Sequence, residues 1–141
     1  MGYEQDFYSW TQEQAALLKQ GRFAELDVNN LIEEVETMGR SEKRELESRL
    51  TILLLHLLKW QYQAIRRGRS WQLSIDEQRI QFCATLNDNP SLTAKLDDII
   101  TKAYRLAVIQ AARETKLSKT VFPEHCPWTL AEFLDEGFYP D

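Results

Sequence analysis

Cationic residues cluster after the most apolar stretch of the chain, in a spacing suited to binding anions. The segment LLLHLLKWQYQAIRRGRSW, residues 53–71, ends in three arginines and a tryptophan. Arginine forks bind phosphate oxygens, and indole rings stack on bases. Ser74, with Glu77 three residues later, has the pattern of a helix N-terminus, which also favours anions. A phosphate or nucleic-acid site is therefore one hypothesis for residues 66–79, with these candidate contacts: Lys59, Arg66, Arg67, Arg69, Trp71 and Arg79.

The same cations have a structural interpretation. Positive side chains at the C-terminal end of a helix are stabilised by its dipole. Three acidic residues, Glu33, Glu34 and Glu36, could also pair with them inside the molecule. Both interpretations remain open at the level of sequence.

His56 interrupts a run of leucines, and an imidazole there could be a metal ligand or a general base. At about 100° per residue, Glu42, Glu45 and Arg49 fall on its side of a helix, whereas the leucines point elsewhere. We therefore expect a histidine on the polar flank of the helix, hydrogen-bonded or stacked on Trp60.

A metal-dependent hydrolase or nuclease built on Glu33, Glu36 and His56 is a further hypothesis. Bundles that bind two metal ions use Glu-x-x-His motifs on two helices, and this sequence contains none. If the chain forms a hairpin through Gly39 and Arg40, Glu33 and His56 also lie roughly 13 Å apart along the helices. A solvated acidic face paired with Arg40, Lys43 or Arg44 is favoured instead.

The cysteines offer little chemistry. A zinc site from His56, Cys83, His125 and Cys126 would need three distant segments, unlike ordinary structural zinc. Cys83 falls on the expected buried face of its helix, where a thiol behaves as a small hydrophobic group. We assign no catalytic, cofactor-binding or metal-binding residue.

The elements that position these residues are helices. Apolar residues at helical spacing predict one helix from a Ser9 cap to Gly21 and a second from Asp27 to Gly39. A long central helix is expected at about 41–67, a fourth from Ser74, a fifth from Pro90 to about Thr115, and a short one at about 127–135. The long helix carries a seam whose members alternate four and three residues apart: Leu46, Leu50, Leu53, Leu57, Trp60 and Ala64.

Length and composition predict a single all-α domain, a bundle of five to six helices over residues 1–141. The chain has 141 residues, 43% of them hydrophobic, and a net charge of −5, typical of one soluble domain. Its negative charge argues against a protein that mainly coats nucleic acid. Cysteines without C-x-x-C spacing, and no apolar leader, predict a cytoplasmic protein. We expect no membrane-spanning helix, because the longest apolar run is short.

Several segments, in this order, resemble a known family: DFYSWTQEQAALLKQGRFAELD, NLIEEVETMGRSEKRELESRL, LLLHLLKWQYQ, RSW, PSL, ETKL and FPEHCPW. The chain resembles bacterial Domain of Unknown Function family twenty-nine, abundant in cyanobacteria, from about Gln5 to Pro140. The resemblance implies a compact, all-helical single domain. It implies no activity, substrate, cofactor or catalytic residue.

No recognisable active-site constellation is present, whereas two helices carry heptad-like stripes. The favoured hypothesis is thus a non-catalytic protein-interaction module, with a protein partner or self-association, as in a homodimer. Nucleic-acid or phosphate binding is the first alternative, and metal-dependent hydrolysis is the second.

Overall fold

A computed structural model describes residues 2–141, and these residues form helices joined by short connections. Within this range no β-strand occurs, which confirms the all-α prediction. None of the helices described combines the length and apolar character needed to cross a membrane. The α-helices are α1 Phe7–Lys19, α2 Val28–Tyr62, α3 Arg69–Asp88, α4 Leu96–Thr115 and α5 Leu130–Leu134, and 3-10 turns lie at Phe23–Glu25, Ala64–Arg66, Pro90–Lys95 and Lys119–Val121.

The long helix differs most from expectation. Two helices meeting at Gly39 were predicted, with the longer at about 41–67, but α2 runs unbroken for 35 residues from Val28 to Tyr62. The hairpin through Gly39 and Arg40, considered above as one possible arrangement of the two helices, therefore does not form. A glycine inside a helix costs only about 0.5–1 kcal/mol relative to alanine. This cost is too small to end a helix when the residues before and after the glycine are helical as well.

The contacts within the chain group into two compact units, which divide between Ser41 and Glu42. In the first, residues 2–41, the buried side chains of α1 are Trp10, Gln14 and Leu17. Trp10 Nε1 donates to Asp27 Oδ2 at 2.9 Å, and the Asp27 amide donates to Gln14 Oε1 at 2.8 Å. Asp6, rather than the expected Ser9, caps α1 by accepting from the Ser9 amide.

The second unit, residues 42–141, holds the main core. Four predicted seam leucines of α2 are completely buried there: Leu46, Leu50, Leu53 and Leu57. Because α2 ends at Tyr62, Ala64 of the predicted seam lies in the following 3-10 turn. The core is completed by side chains from the other helices and the C-terminal region, namely Ile75, Phe82, Ile99, Ala103, Ala107, Phe122 and Phe133.

Two helix starts in this unit also differ from the prediction. Helix α3 begins at Arg69 with Gly68 at its N-cap, so Ser74 lies inside the helix and marks no N-terminus. The anion preference expected at Ser74 is therefore wrong. Pro90 opens a 3-10 turn that leads into α4, and α4 ends at Thr115 as predicted.

The C-terminal segment, which we define as residues 127–141, folds back on the core of the second unit. Thr129 and Glu132 form a capping box at the start of α5. The aromatic residues of the segment form ring contacts, with the ring of Tyr139 4.8 Å from that of Trp60, and the ring of Trp128 6.2 Å from that of Phe138.

Candidate functional site

The arginine joint, residues 66–79, begins in the connection between α2 and α3 and extends to the middle of α3. The connection is short, because α2 ends at Tyr62, a 3-10 turn covers Ala64–Arg66, and α3 begins at Arg69. The structure brings four of the six predicted contacts into internal bonds or ring contacts and leaves two arginines exposed.

Arg67 closes the C-terminal end of α2. Its Nε donates to the carbonyl oxygen of Trp60 at 2.6 Å, and its guanidinium lies 5.3 Å from the centre of the Trp60 ring. Its Nη2 reaches the Pro140 carbonyl at 3.5 Å. The last carbonyls of a helix lack internal partners, so Arg67 satisfies one of them and touches the C-terminal segment as well.

Arg79 is buried in the middle of α3 and binds the C-terminal segment through backbone carbonyls. Its Nε donates to Phe133 at 2.8 Å, its Nη1 donates to Glu136 at 3.3 Å, and its Nη2 donates to Phe138. The guanidinium also lies 5.4 Å from the centre of the Tyr139 ring. Burial lowers the pKa of Arg79, an effect opposed by nearby Tyr139.

Lys59 is buried and paired. Its Nζ lies 2.9 Å from Glu114 Oε1 on α4 and 5.0 Å from the centre of the Trp71 ring. Lys59 thus joins α2 to α4, while Trp71 covers its ammonium group. A cation held in this way is costly to redirect towards an external phosphate.

Arg66 and Arg69 differ from these three cations. Both are exposed, and neither forms an ion pair or side-chain hydrogen bond with any residue in the range 2–141. Trp71, half-buried, lies two residues beyond Arg69. These two arginines are the cations of the joint that an external anion can reach without breaking an internal bond.

His56 is half-buried and hydrogen-bonded within its own helix. Its Nδ1 lies 2.8 Å from the carbonyl oxygen of Ile52, an arrangement that places the proton on Nδ1. Burial lowers the pKa of His56, and Lys59 lowers it further, while the Ile52 carbonyl opposes the shift. Burial therefore favours the neutral form of the imidazole.

The acidic residues of the first unit contact neighbours within that unit. Glu33 and Glu36 lie 3.8 and 3.9 Å from Arg40, at the limit of an ion pair. Tyr3 donates a hydrogen bond to Glu34, which raises the pKa of Tyr3 to about 12. Among residues 2–141, no group of three or more His, Cys, Asp or Glu side chains is arranged to hold a metal ion.

Neither cysteine is arranged as a nucleophile. Cys83 and Cys126 are both free and half-buried, so Cys83 is less buried than the sequence suggested. Cys126 donates to the Trp128 carbonyl at 3.5 Å, and burial raises the pKa of its thiol. A raised pKa keeps Cys126 as the unreactive thiol.

One surface was missed as a functional candidate. The apolar residues at the start of α2 served only to predict a helix from Asp27 to Gly39, and the structure leaves most of them exposed. Exposure reaches 64% for Val35 and 66% for Met38, and Val28 and Ile32 are also half or more exposed. A groove of about 310 Å³ follows this face and, apart from Glu36, is lined by apolar side chains: Leu26, Val28, Leu31, Ile32 and Val35. Helical periodicity could indicate this face, but it could not show whether the chain itself covers it.

The fold and these contacts define an all-helical protein in which arginines hold the C-terminal segment and one apolar helix face stays open. Over residues 2–139 the chain matches the family model described as Domain of unknown function DUF29, and it belongs to that family. No curated protein and no solved structure matches the chain.

Proposed function

We infer that this protein is a non-catalytic protein-interaction module that binds an apolar helix of its partner through the exposed face of α2. We call this face the apolar stripe and define it as Val28, Ile32, Val35, Met38 and the Gly39 that follows them. The observation that carries the proposal is the exposure of four large apolar side chains along a single helix face. Single exposed hydrophobic residues are ordinary, but a contiguous apolar patch marks an interaction site.

The internal contacts of the other candidate residues support the same function. Arg67, Arg79 and Lys59, which have the chemistry of a phosphate site, hold together parts of the second unit. His56 uses its Nδ1 proton on its own helix. The stripe, in contrast, has apolar side chains directed at solvent and a groove beside them.

Site-specific photo-crosslinking tests the proposal. A photoreactive phenylalanine analogue replaces Val35 on the stripe or, as the matched control, Thr37, which is exposed on another side of the same helix. We expect a defined crosslinked protein from position 35 and none from position 37, in cells that produce the protein. Equal crosslinking from both positions, or none from position 35, would contradict the proposal.

A second candidate function is binding of phosphate or single-stranded nucleic acid at Arg66, Arg69 and Trp71. The observation that favours it is the exposure of both arginines, which form no ion pair within residues 2–141, beside a half-buried indole. Stacking on an aromatic ring and contact with cationic groups are the two elements of such binding.

A further inference from the structure

The net negative charge of the chain belongs to the unit that carries the apolar stripe. Residues 2–41 contain eight acidic and three basic side chains, whereas residues 42–141 contain fourteen of each. The whole formal charge of −5 is therefore concentrated in the first unit, and the second unit is neutral. A surface of one sign attracts partners of the opposite sign and repels those of its own.

Carboxylates lie along both edges of the apolar stripe. At about 100° per residue, Glu36 falls about 40° beyond Ile32 on one edge. Glu34 falls about 40° beyond Met38 on the other edge. Glu36 also lines the groove beside the stripe. Side chains in these positions meet the flanks of a helix that packs on the stripe, as the charged residues beside a coiled-coil seam do.

The contacts of these carboxylates within the unit are weak or uncharged. Arg40 lies 3.9 Å from Glu36 and 3.8 Å from Glu33, and the three side chains are half or more exposed. Exposed pairs of this kind contribute little to stability, so exchanging one for a cation of a partner costs little. Glu34 accepts a hydrogen bond from the uncharged hydroxyl of Tyr3, and within residues 2–141 no cation pairs with it.

These charges select among the partners that an apolar face could bind. A second copy pairing through the same face would bring an equally acidic stripe against the first, and like charges across an interface disfavour the pairing. Membrane surfaces are anionic and attract amphipathic helices whose polar edges are basic. Nucleic acid carries the same sign of charge as the stripe. An apolar helix with basic edges, in contrast, matches the stripe in both shape and charge.

We propose that the partner of the apolar stripe is a basic amphipathic helix of another protein. Its apolar face covers the stripe, which rises about 16 Å from Val28 to Gly39, or about three helical turns. Lysine or arginine side chains on the two flanks of that face meet Glu36 and Glu34. This proposal rests on the proposed function, because it gives the chemistry of the helix that the stripe binds.

Two synthetic helical peptides test the charge preference. One is built of leucine and lysine, with leucines at alternating intervals of four and three residues, and the other has glutamate in place of every lysine. Each carries a fluorophore, and its anisotropy is measured as the full chain is added. We expect saturable binding of the lysine peptide, weakened by added salt, and no binding of the glutamate peptide.

Charge reversal locates the contact on the chain. Glu36→Lys should raise the dissociation constant of the lysine peptide at least about fivefold, because an attraction at the edge of the stripe becomes a repulsion. Glu77→Lys makes the same change in net charge at an exposed position of α3 and should raise it less than about twofold. The two variants are compared at about 0.15 M ionic strength, where interactions across more than about 8 Å are screened. Both should keep the wild-type helix content by circular dichroism, since glutamate and lysine have similar helix propensities.

A second substitution establishes that the peptide lies on the stripe. Val35→Ser removes an apolar side chain from the stripe and should weaken binding of the lysine peptide at least about threefold. The matched control is Thr37→Ser, which places the same residue on another side of α2 and should leave binding unchanged.

The possible results separate this inference from the proposed function. Equal binding of the two peptides, each weakened by Val35→Ser, overturns the basic partner but keeps the apolar interaction module. Equal weakening by Glu36→Lys and Glu77→Lys indicates a general effect of net charge and overturns the contact at the stripe. If the lysine peptide does not bind, or if position 35 crosslinks in cells to a second copy of the chain, the basic partner falls. Crosslinking at position 35 then decides the proposed function independently.

Discussion

Arg79, in the middle of α3, donates its Nε hydrogen to the carbonyl oxygen of Phe133 at 2.8 Å, across 54 residues of sequence. The same guanidinium also binds the carbonyls of Glu136 and Phe138. One buried cation thus satisfies three backbone acceptors of the C-terminal segment. Arg79 binds the segment through backbone carbonyls, and Arg67 and the buried ring of Phe133 hold the segment as well.

Replacing Arg79 with methionine should destabilise the second unit. The substitution keeps an apolar stem but leaves three carbonyls without their charged donor, and each buried polar group left unpaired costs about 1–3 kcal/mol. Water can reach part of the exposed end of the segment, so we expect a total loss of about 2–4 kcal/mol in unfolding free energy. Urea denaturation measures the loss, and hydrogen exchange should show faster exchange of amides in residues 130–139.

Arg69→Met is the control for this substitution, since it removes the same charge from an exposed position of the same helix. It should change the unfolding free energy by less than about 0.5 kcal/mol. A loss of stability as large as that of Arg79→Met would show that net charge, rather than the carbonyl contacts, is responsible.

His56 should make the protein less stable in acid. Burial lowers the pKa of its imidazole below 6.5, so the unfolded chain binds the proton more readily than the folded one. The stability due to neutral His56 is complete above pH 6.5 and is lost as the pH falls through its lowered pKa. The loss cannot exceed about 1.4 kcal/mol per pH unit for one proton.

The measurement is the unfolding free energy of the wild type and His56→Gln at neutral and mildly acidic pH. Glutamine can still donate to the Ile52 carbonyl but does not titrate, so the variant should lose less stability on acidification. His125→Gln removes a histidine from an exposed position and should retain the wild-type difference. Identical pH profiles for the wild type and His56→Gln would contradict the prediction.

Much of the fold followed from apolar spacing alone. The seam from Leu46 to Leu57 was predicted and is completely buried, because leucines at four-three spacing form one apolar face and the other helices of the second unit pack on it. The break at Gly39 was wrong because the propensity of one glycine is a weak signal within a helix of 35 residues. The helix N-terminus predicted at Ser74 was wrong for a related reason, since a capping-box pattern also fits residues inside a helix.

The candidate site could be predicted by residue type but not by partner. Arg67 and Arg79 were identified as cations suited to anions, but they bind carbonyls of Phe133, Glu136, Phe138 and Pro140. Every residue carries a carbonyl, so no sequence pattern indicates which ones an arginine will meet. For the apolar stripe, the sequence showed the helical spacing of the apolar residues. It could not show that they are exposed, because exposure depends on how the rest of the chain packs.

Tyr3 should titrate late among the five tyrosines. Its hydroxyl donates to Glu34, and the phenolate would lie beside the Glu34 and Glu33 carboxylates, which raises the pKa of Tyr3 to about 12. The stability due to this hydrogen bond is present below pH 10 and is lost as the pH rises towards about 12. The ultraviolet absorbance of tyrosinate, compared between the wild type and Tyr3→Phe, isolates its titration. Glu34→Gln should move this titration back towards pH 10, and an unchanged titration would contradict the assignment.

Arg66 and Arg69 should determine any binding of single-stranded nucleic acid. Arg67 is unsuitable for this test because its removal would also free the end of α2 and the Pro140 carbonyl. We expect the tryptophan fluorescence to change saturably as an oligonucleotide is added at low salt, because Trp71 lies beside the exposed arginines. Arg66→Glu combined with Arg69→Glu should weaken binding and reduce its salt dependence by about one unit of slope per lost phosphate contact.

Lys95→Glu combined with Arg113→Glu makes the same change in net charge at other exposed positions and should have a smaller effect. Equal weakening by the two pairs would indicate a general charge effect, and no fluorescence response in the wild type would exclude binding at this joint under these conditions.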